Sequence, residues 1–219
     1  MSNLLALPVD AHATFRTLAR TAENEMAYSS LSGAEHMTDI SAEAACVVPP
    51  GYRLIRVDPQ DRTRDGDFEI ALICDTLLSV VYYNKVMIAD LRGRSTSRNL
   101  VWRSACTQHA AVIRDVAENV MFRYILDHHD VILADSEQAG EGKFFWQRQL
   151  SKAIAYGLHA YYFHEATEEL HPISTQGALS LLVDRLWSVS EQEQHHFALI
   201  SKAQLPVSAR LAMHYGMPE

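Results

Sequence analysis

The sequence predicts an α+β fold: a mixed, largely antiparallel, twisted sheet with a central β-α-β unit, helices on both faces and an N-terminal helical extension. Three observations carry this. Residues 130–163 read as strand, polar turn, helix and strand. Val131, Ile132, Leu133 and Ala134 form a wholly apolar run suited to a strand buried on both faces, and the run stops at Asp135-Ser136-Glu137-Gln138. Between Tyr52 and Thr107, β-branched or aromatic runs follow one another closely, separated by Asp, Gly, Pro and Asn, so the nearest of them should pair as antiparallel hairpins. Two further stretches, 10–28 and 111–126, repeat apolar residues at helical spacing.

Along the chain, the first helix spans Asp10 to about Tyr28, with Phe15, Leu18, Ala19, Ala22 and Met26 on one stripe and the sheet as its partner. Ser29 to Pro50 is small and polar and reads as a connector without regular structure. Strands follow at Tyr52–Asp58, Phe68–Cys74, Leu77–Tyr83, Val86–Leu91 and Asn99–Thr107. Ala111 to Leu126 is a sheet-covering helix with Ile113, Val116, Ala117, Val120, Met121 and Tyr124 along one face. After Asp135–Gln138, Trp146, Leu150, Ala153 and Ile154 mark a helix that Gly157 terminates, and Leu158–Phe163 is a strand. A helix over Thr175–Trp187 and a short strand over Phe197–Ser201 complete the pattern, which divides as an extension and connector over 1–50, an α/β domain over 51–205 and a tail over 206–219.

Composition narrows the function. A chain of 219 residues with 48% hydrophobic content can bury one sizeable core. A formal charge of -8 and a pI near 5.7 oppose non-specific attraction to nucleic acid or an anionic membrane surface. Neither a signal peptide nor a spanning segment is evident, so cytoplasm is the expected compartment. Cys46, Cys74 and Cys106 are odd in number and isolated in sequence, which argues for reduced core thiols and against a disulfide framework or a Cys-x-x-Cys metal site.

The order of elements, with Val131-Ile132-Leu133-Ala134-Asp135-Ser136-Glu137-Gln138, Gly142-Lys143-Phe144-Phe145-Trp146, Gly157-Leu158-His159-Ala160-Tyr161-Tyr162 and the closing Phe197-Ala198-Leu199-Ile200-Ser201-Lys202, resembles the GNAT superfamily of N-acetyltransferases. It looks like the GNAT-like proteins encoded by tailed bacteriophages, over roughly Phe68 to Lys202. The resemblance implies an acyl-CoA site in which Cys106, Thr107 and Gln108, at the end of the Asn99–Thr107 strand, hold the pantetheine arm. Arg114, Asp115, Val116 and Ala117 would face the pyrophosphate, with Trp146 on the later helix close by. Asp135, Ser136 and Glu137 would line the amine side as catalytic residues.

The chain also departs from that pattern. The turn before the sheet-covering helix has no glycine to let backbone N–H groups approach a phosphate, and Asp115 brings an anion towards it. Phe145 or Trp146 stands where the family uses a tyrosine to protonate the departing thiolate, and neither can donate a phenolic proton. No Glu occurs on Asn99–Thr107. Acetyl-CoA binding is therefore expected to be weak or absent.

Other motifs have plain readings beside the functional ones. Asp135, Ser136 and Glu137 could activate an amine, or cap the helix that follows. Gly140-Glu141-Gly142-Lys143 fails the spacing of a phosphate loop, and Phe144 replaces the required hydroxyl. His164, Glu165, Glu168 and His171 lack the His-Glu-x-x-His spacing and read as a solvated loop, and the pairs His128-His129 and His195-His196 mark no metal site. Arg92, Arg94, Arg98 and Arg103 form an anion-binding patch or an ordinary charged hairpin; no groove-reading helix accompanies them, so specific nucleic-acid binding is not expected. Phe144, Phe145, Trp146, Tyr161 and Tyr162 serve as core or as a ligand wall.

Two functions remain open from sequence. One is a phage-like GNAT-fold N-acyltransferase that moves an acyl group from acyl-CoA to an amine. The other is a non-catalytic GNAT-like interaction protein, a phage accessory or host-takeover factor or a virion component, with a degenerate acetyl-CoA site and a host or phage protein as partner.

Overall fold

The apolar runs that follow the N-terminal helices fold as an antiparallel meander of five strands: β1 (Met37–Asp39), β2 (Tyr52–Val57), β3 (Phe68–Cys74), β4 (Ser79–Leu91) and β5 (Arg94–Arg103). This computed structural model describes residues 11–59, 66–91, 93–134, 142–164, 169–186 and 196–206, and the chain divides into two compact units, Met1–His129 and Asp130–Glu219. Two of the expected strands are one. Tyr82-Tyr83 and Val86 lie on the same continuous β4, and the polar pair Asn84-Lys85 between them is mid-strand rather than a turn. The expected Asn99–Thr107 strand is instead Arg94–Arg103, and Thr107–His109 is a turn of 3-10 helix. The register of β3 against β4 shifts between Leu72 and Ile73, and Val81 is the extra residue that bulges there.

Alternation along these strands gives the sheet two faces, each covered by helices. Leu18, Leu31, Ile55, Ala71, Ile73, Val80 and Tyr83 form one core cluster, placing α1 (Ala11–Leu18) and α2 (Thr21–Ser32) on the first face. The single helix expected over 10–28 is broken at Ala19-Arg20, and its stripe holds only in the first part: Leu18 is buried and Phe15 packs against the core, whereas Ala19, Ala22 and Met26 are exposed and Asn24 is buried instead. Asn24 earns that position chemically. Its Nδ2 donates to the Leu18 and Val80 carbonyls at 2.8 and 3.1 Å, and its Oδ1 accepts the Val80 N–H at 2.7 Å. Arg53 and Asp75 form a two-bond pair at 2.8 Å on this face, and the Tyr28 hydroxyl donates to Asp75 at 2.8 Å, tying α2 to the turn after β3. The Arg53 guanidinium first, and Tyr28 after it, hold the Asp75 carboxyl below the usual carboxylate range.

The second face carries α3 (Ala110–Asn119), a π-helical stretch over Val120–Ile125 and α4 (Leu126–His128). Tyr52, Arg56, Phe68 and Ser95 share this face. They meet the helical segment through Tyr52–His109, Arg56–Tyr124, Phe68–His129 and Ser95–His129. The expected buried stripe holds at Ile113, Val116, Ala117, Val120 and Tyr124, but Phe122, Ile125 and Leu126 are buried too, as the wider π turn presents more of the segment to protein. The expected connector is also partly ordered: α2 runs to Ser32, and β1 pairs with β2.

In the second unit, β6 (Asp130–Ala134), β7 (His159–His164), β8 (Glu169–Pro172) and β9 (His196–Ser201) are ordered β6-β9-β7-β8 with antiparallel neighbours. The β-α-β unit is present, since β6 and β7 run the same way and are joined through α5 (Gly142–Ala155), but β9 lies between them. Gly157, at φ +71°, ends α5: its N–H donates to Ile154 and that of Leu158 to Ala153, the two closing bonds of a left-handed helix terminus. Glu165 and Glu168 lie outside the described residues, and over Glu169–Pro172 the expected solvated loop is β8. Short, polar and proline-ended, it carries little signal of a strand, and it pairs Glu169–Pro172 with Tyr161–His164. The helix expected over Thr175–Trp187 is α6 (Gln176–Leu186), tied to α5 by Ser151 and Gln176, which exchange two hydrogen bonds at 2.9 Å.

Candidate functional site

Asn84 stands in the middle of β4, between Tyr82-Tyr83 and Lys85-Val86, and is 2% exposed. Its cross-strand register places it on the same face as Val86, Asn99, Ser97 and Ser95, the face that carries α3. Asn84 Nδ2 donates to Asn99 Oδ1 at 3.1 Å, and Asn99 Nδ2 donates to Ser97 Oγ at 3.3 Å. Ser95 and the His129 ring follow, 2.7 Å apart. The result is a polar row along one face of β4 and β5, partly exposed at Asn99 and buried at Asn84 and Ser97. One atom in it is unsatisfied: Asn84 Oδ1 accepts no hydrogen bond from any described residue. A buried amide oxygen without a donor is costly, on the order of 1–3 kcal/mol.

At the other end of this face, the Tyr52 hydroxyl and His109 Nδ1 share a hydrogen bond at 2.8 Å, with the rings edge to face. Tyr52 pairs with Cys74 across β2 and β3, and because Asp75 N–H donates to Gly51 the pair is of the close type, which sets the two side chains together. Burial, then Cys74 and Cys106, push the Tyr52 phenol up, and burial pushes the His109 imidazole below its ordinary value. Through its bond to Tyr52, His109 anchors the start of the helical segment to β2.

The residues expected to bind cofactor are distributed differently from the expectation. Cys106, Thr107 and Gln108 are exposed, but they lie beyond the end of β5, in the turn that starts the helical segment. Arg114 and Asp115 are exposed on the second turn of α3, while Val116 and Ala117 are buried against protein. A residue that deep in a helix has its N–H committed to the carbonyl four residues back, so none of the four offers a backbone donor to a phosphate. Trp146 lies on α5 with its side chain outside the described residues, as are those of Phe144 and Phe145. Asp135, Ser136 and Glu137, the expected catalytic residues, lie outside the described residues altogether.

The remaining candidates separate. Arg98 is 6% exposed and faces away from exposed Arg103, and Arg94 lies near the hairpin tip, so the three described arginines present no single patch; Arg92 is outside the described residues. Cys106 is exposed rather than a core thiol, Cys74 is buried and Cys46 is half-buried; all three are free. His128 Nδ1 lies 2.9 Å from the Tyr124 carbonyl in the last helical turn, and His171 contacts Glu169 at 3.8 Å within β8. Among the described residues no three His, Cys, Asp or Glu side chains are grouped to hold a metal ion, and no helix is long and apolar enough to cross a membrane. Asn84, Asn99, Ser97, Tyr52 and His109 were not singled out by sequence. The signal for the first of them is the polar pair Asn84-Lys85 between two apolar and aromatic runs.

No protein-family model, curated protein or solved structure matches this chain.

Proposed function

We propose that this chain is a GNAT-like protein that binds an acyl thioester through its pantetheine arm and passes the acyl group to an amine. The element order of helices, antiparallel meander, covering helix and β-α-β unit supports the scaffold. The single observation that carries the binding reading is Asn84 Oδ1, a buried acceptor without a described donor, in a polar row shared with Asn99 on the strand the resemblance assigns to the pantetheine arm. Pantetheine carries secondary-amide N–H groups of the kind that acceptor requires. When bound, the thioester supplies an activated carbonyl: the amine nitrogen forms the new C–N bond, the C–S bond breaks, and the thiol leaves with the proton the amine loses. The chain's part in the first unit is to hold and orient the arm.

The diphosphate half of acyl-CoA fits less well. The turn from Ser104 to Ile113 has no glycine, and Asp115 is exposed on the helix that follows. This favours a second reading, a non-catalytic interaction protein that retains the scaffold alone.

Calorimetric titration of the full chain with acetyl-CoA, beside a scan for acetylated amines, tests both. Weak saturable binding, reduced about tenfold or more by Asn84→Leu with the fold retained, is expected, a loss of about 1.4 kcal/mol. Absent binding and a blank scan would replace the acyl-transfer reading with the interaction protein; binding indifferent to Asn84→Leu would remove the polar row from the site.

A further inference from the structure

We infer that the end of the second unit's sheet holds one divalent transition-metal ion, zinc by the chemistry of its ligands, on His164, Glu169, His171 and His196. Along the sequence these residues are scattered and match no metal-binding spacing. Strand register gathers them. His164 pairs with Glu169 of β8 on one side and with His196 of β9 on the other, so the three form one row across β8, β7 and β9. His171 follows Glu169 by two residues and pairs with Tyr162, which puts it on the same face and diagonal to His164. The side chains of His164 and His196 lie outside the described residues, so their backbone positions alone place them. Directly paired residues on neighbouring strands have Cβ atoms about 4.5–5.5 Å apart and diagonal ones about 7–8 Å, within reach of groups that share one ion.

Glu169 and His171 are the pair whose side chains are described. His171 Nε2 stands 3.8 Å from Glu169 Oε2, beyond hydrogen-bond range. A nitrogen and an oxygen bound to one tetrahedral zinc at about 2.0–2.2 Å lie about 3.4 Å apart, so little movement separates this pair from ligand spacing. The opposite face carries buried Tyr161, Phe163, Leu170, Phe197 and Leu199, whereas the Glu169 and His171 side chains are 34% and 21% exposed, open enough to admit an ion. Three imidazoles and one carboxylate without a thiolate suit zinc and its first-row neighbours, and do not suit magnesium or calcium, which take oxygen ligands. The consequence is mechanical. β8 is a short, polar strand, and an ion held by this row would pin it and the start of β9 to the end of β7, so that metal affinity adds to the stability of the unit. The inference stands apart from the acyl-transfer reading and draws on none of its residues.

The test is a titration of the full, untagged chain, freed of metal by dialysis against chelator, with zinc chloride, followed by calorimetry and by thermal unfolding. The expected result is one ion per chain and a higher unfolding temperature with zinc, reversed by chelator. His164→Ala and His196→Ala, on different strands, should each weaken binding about tenfold or more. His159→Ala, on the opposite face of β7, should leave it unchanged. Glu169→Gln keeps the size of a part-exposed side chain and should weaken binding likewise, which preserves the test if a histidine variant does not fold. No zinc binding, or binding that survives all three ligand substitutions, would overturn the inference. Either result leaves acyl transfer to be decided by the acetyl-CoA titration.

Discussion

The two faces of the first unit's sheet each bury an asparagine, and the two are treated in opposite ways. On the α1–α2 face, Asn24 uses its carbonyl and its amide, making three hydrogen bonds to backbone. On the α3 face, Asn84 uses its amide on Asn99 and leaves its carbonyl without a described donor. The first is a structural joint, where a side chain completes the pairing of a main chain. The second keeps part of its bonding capacity in reserve. Burial and residue type are the same in both, so neither one marks function; the difference lies in whether every donor and acceptor is used.

The largest effect should come from breaking the satisfied face. Asn24→Leu leaves the Val80 N–H and carbonyl unpaired in a buried place, and denaturant unfolding should show a loss of about 3 kcal/mol. A wild-type result within error would mean that water replaces the side chain and that the contrast between the faces is false.

Acid should separate the faces next. His109, on the α3 face, has a folded value below its unfolded one near 6.5, so the unfolded chain binds more protons as pH falls through that value, and stability is lost from there downward. Asp75, on the other face, is also held down. Its contribution is present above the unfolded carboxylate value near 3.9 and is lost as pH falls further. Stability followed from pH 7 to 5 should decline, and His109→Gln should flatten that decline; an unchanged slope in the variant would assign it to other groups. The smallest effect belongs to Asn84→Leu. Exchanging a half-used amide for an apolar side chain of similar size should leave stability within about 1 kcal/mol of wild type. A loss as large as that of Asn24→Leu would show that the orphan carbonyl has a partner after all.

Legibility in the sequence followed chemistry that acts over a few residues. β3, β6, β9 and α6 were readable because their apolar runs or helical spacing end at clear breaks. From sequence alone β4 reads as two strands because Asn84-Lys85 looks like a turn between apolar runs, whereas long neighbours on both sides hold it extended. The same residue that misled the strand assignment is the one that defines the candidate site. α2 inverted its expected stripe, since Asn24 is buried by hydrogen bonds to Val80, 56 residues away, and no local pattern reports such a partner. The polar character of the segment after β6 is legible in the sequence, but Asp135, Ser136 and Glu137 lie outside the described residues. The anion site is expected on α3 from the resemblance alone; helix depth and burial at Val116 and Ala117 speak against it.

The joint at Asn24 also bears on how the molecule keeps to itself. Val80 lies before the point where β4 begins to pair with β5, so on that side its N–H and carbonyl would form a short open edge. Such an edge recruits a strand from another molecule, the first step towards a β-linked aggregate. Asn24 presents a carboxamide that mimics a peptide group, fills the edge with one residue's worth of ladder, and leaves no bonding capacity for a second chain. Chains lacking that plug should lose solubility in a concentration-dependent way before they lose secondary structure, because the first consequence of removing it is an unguarded template rather than an unfolded core.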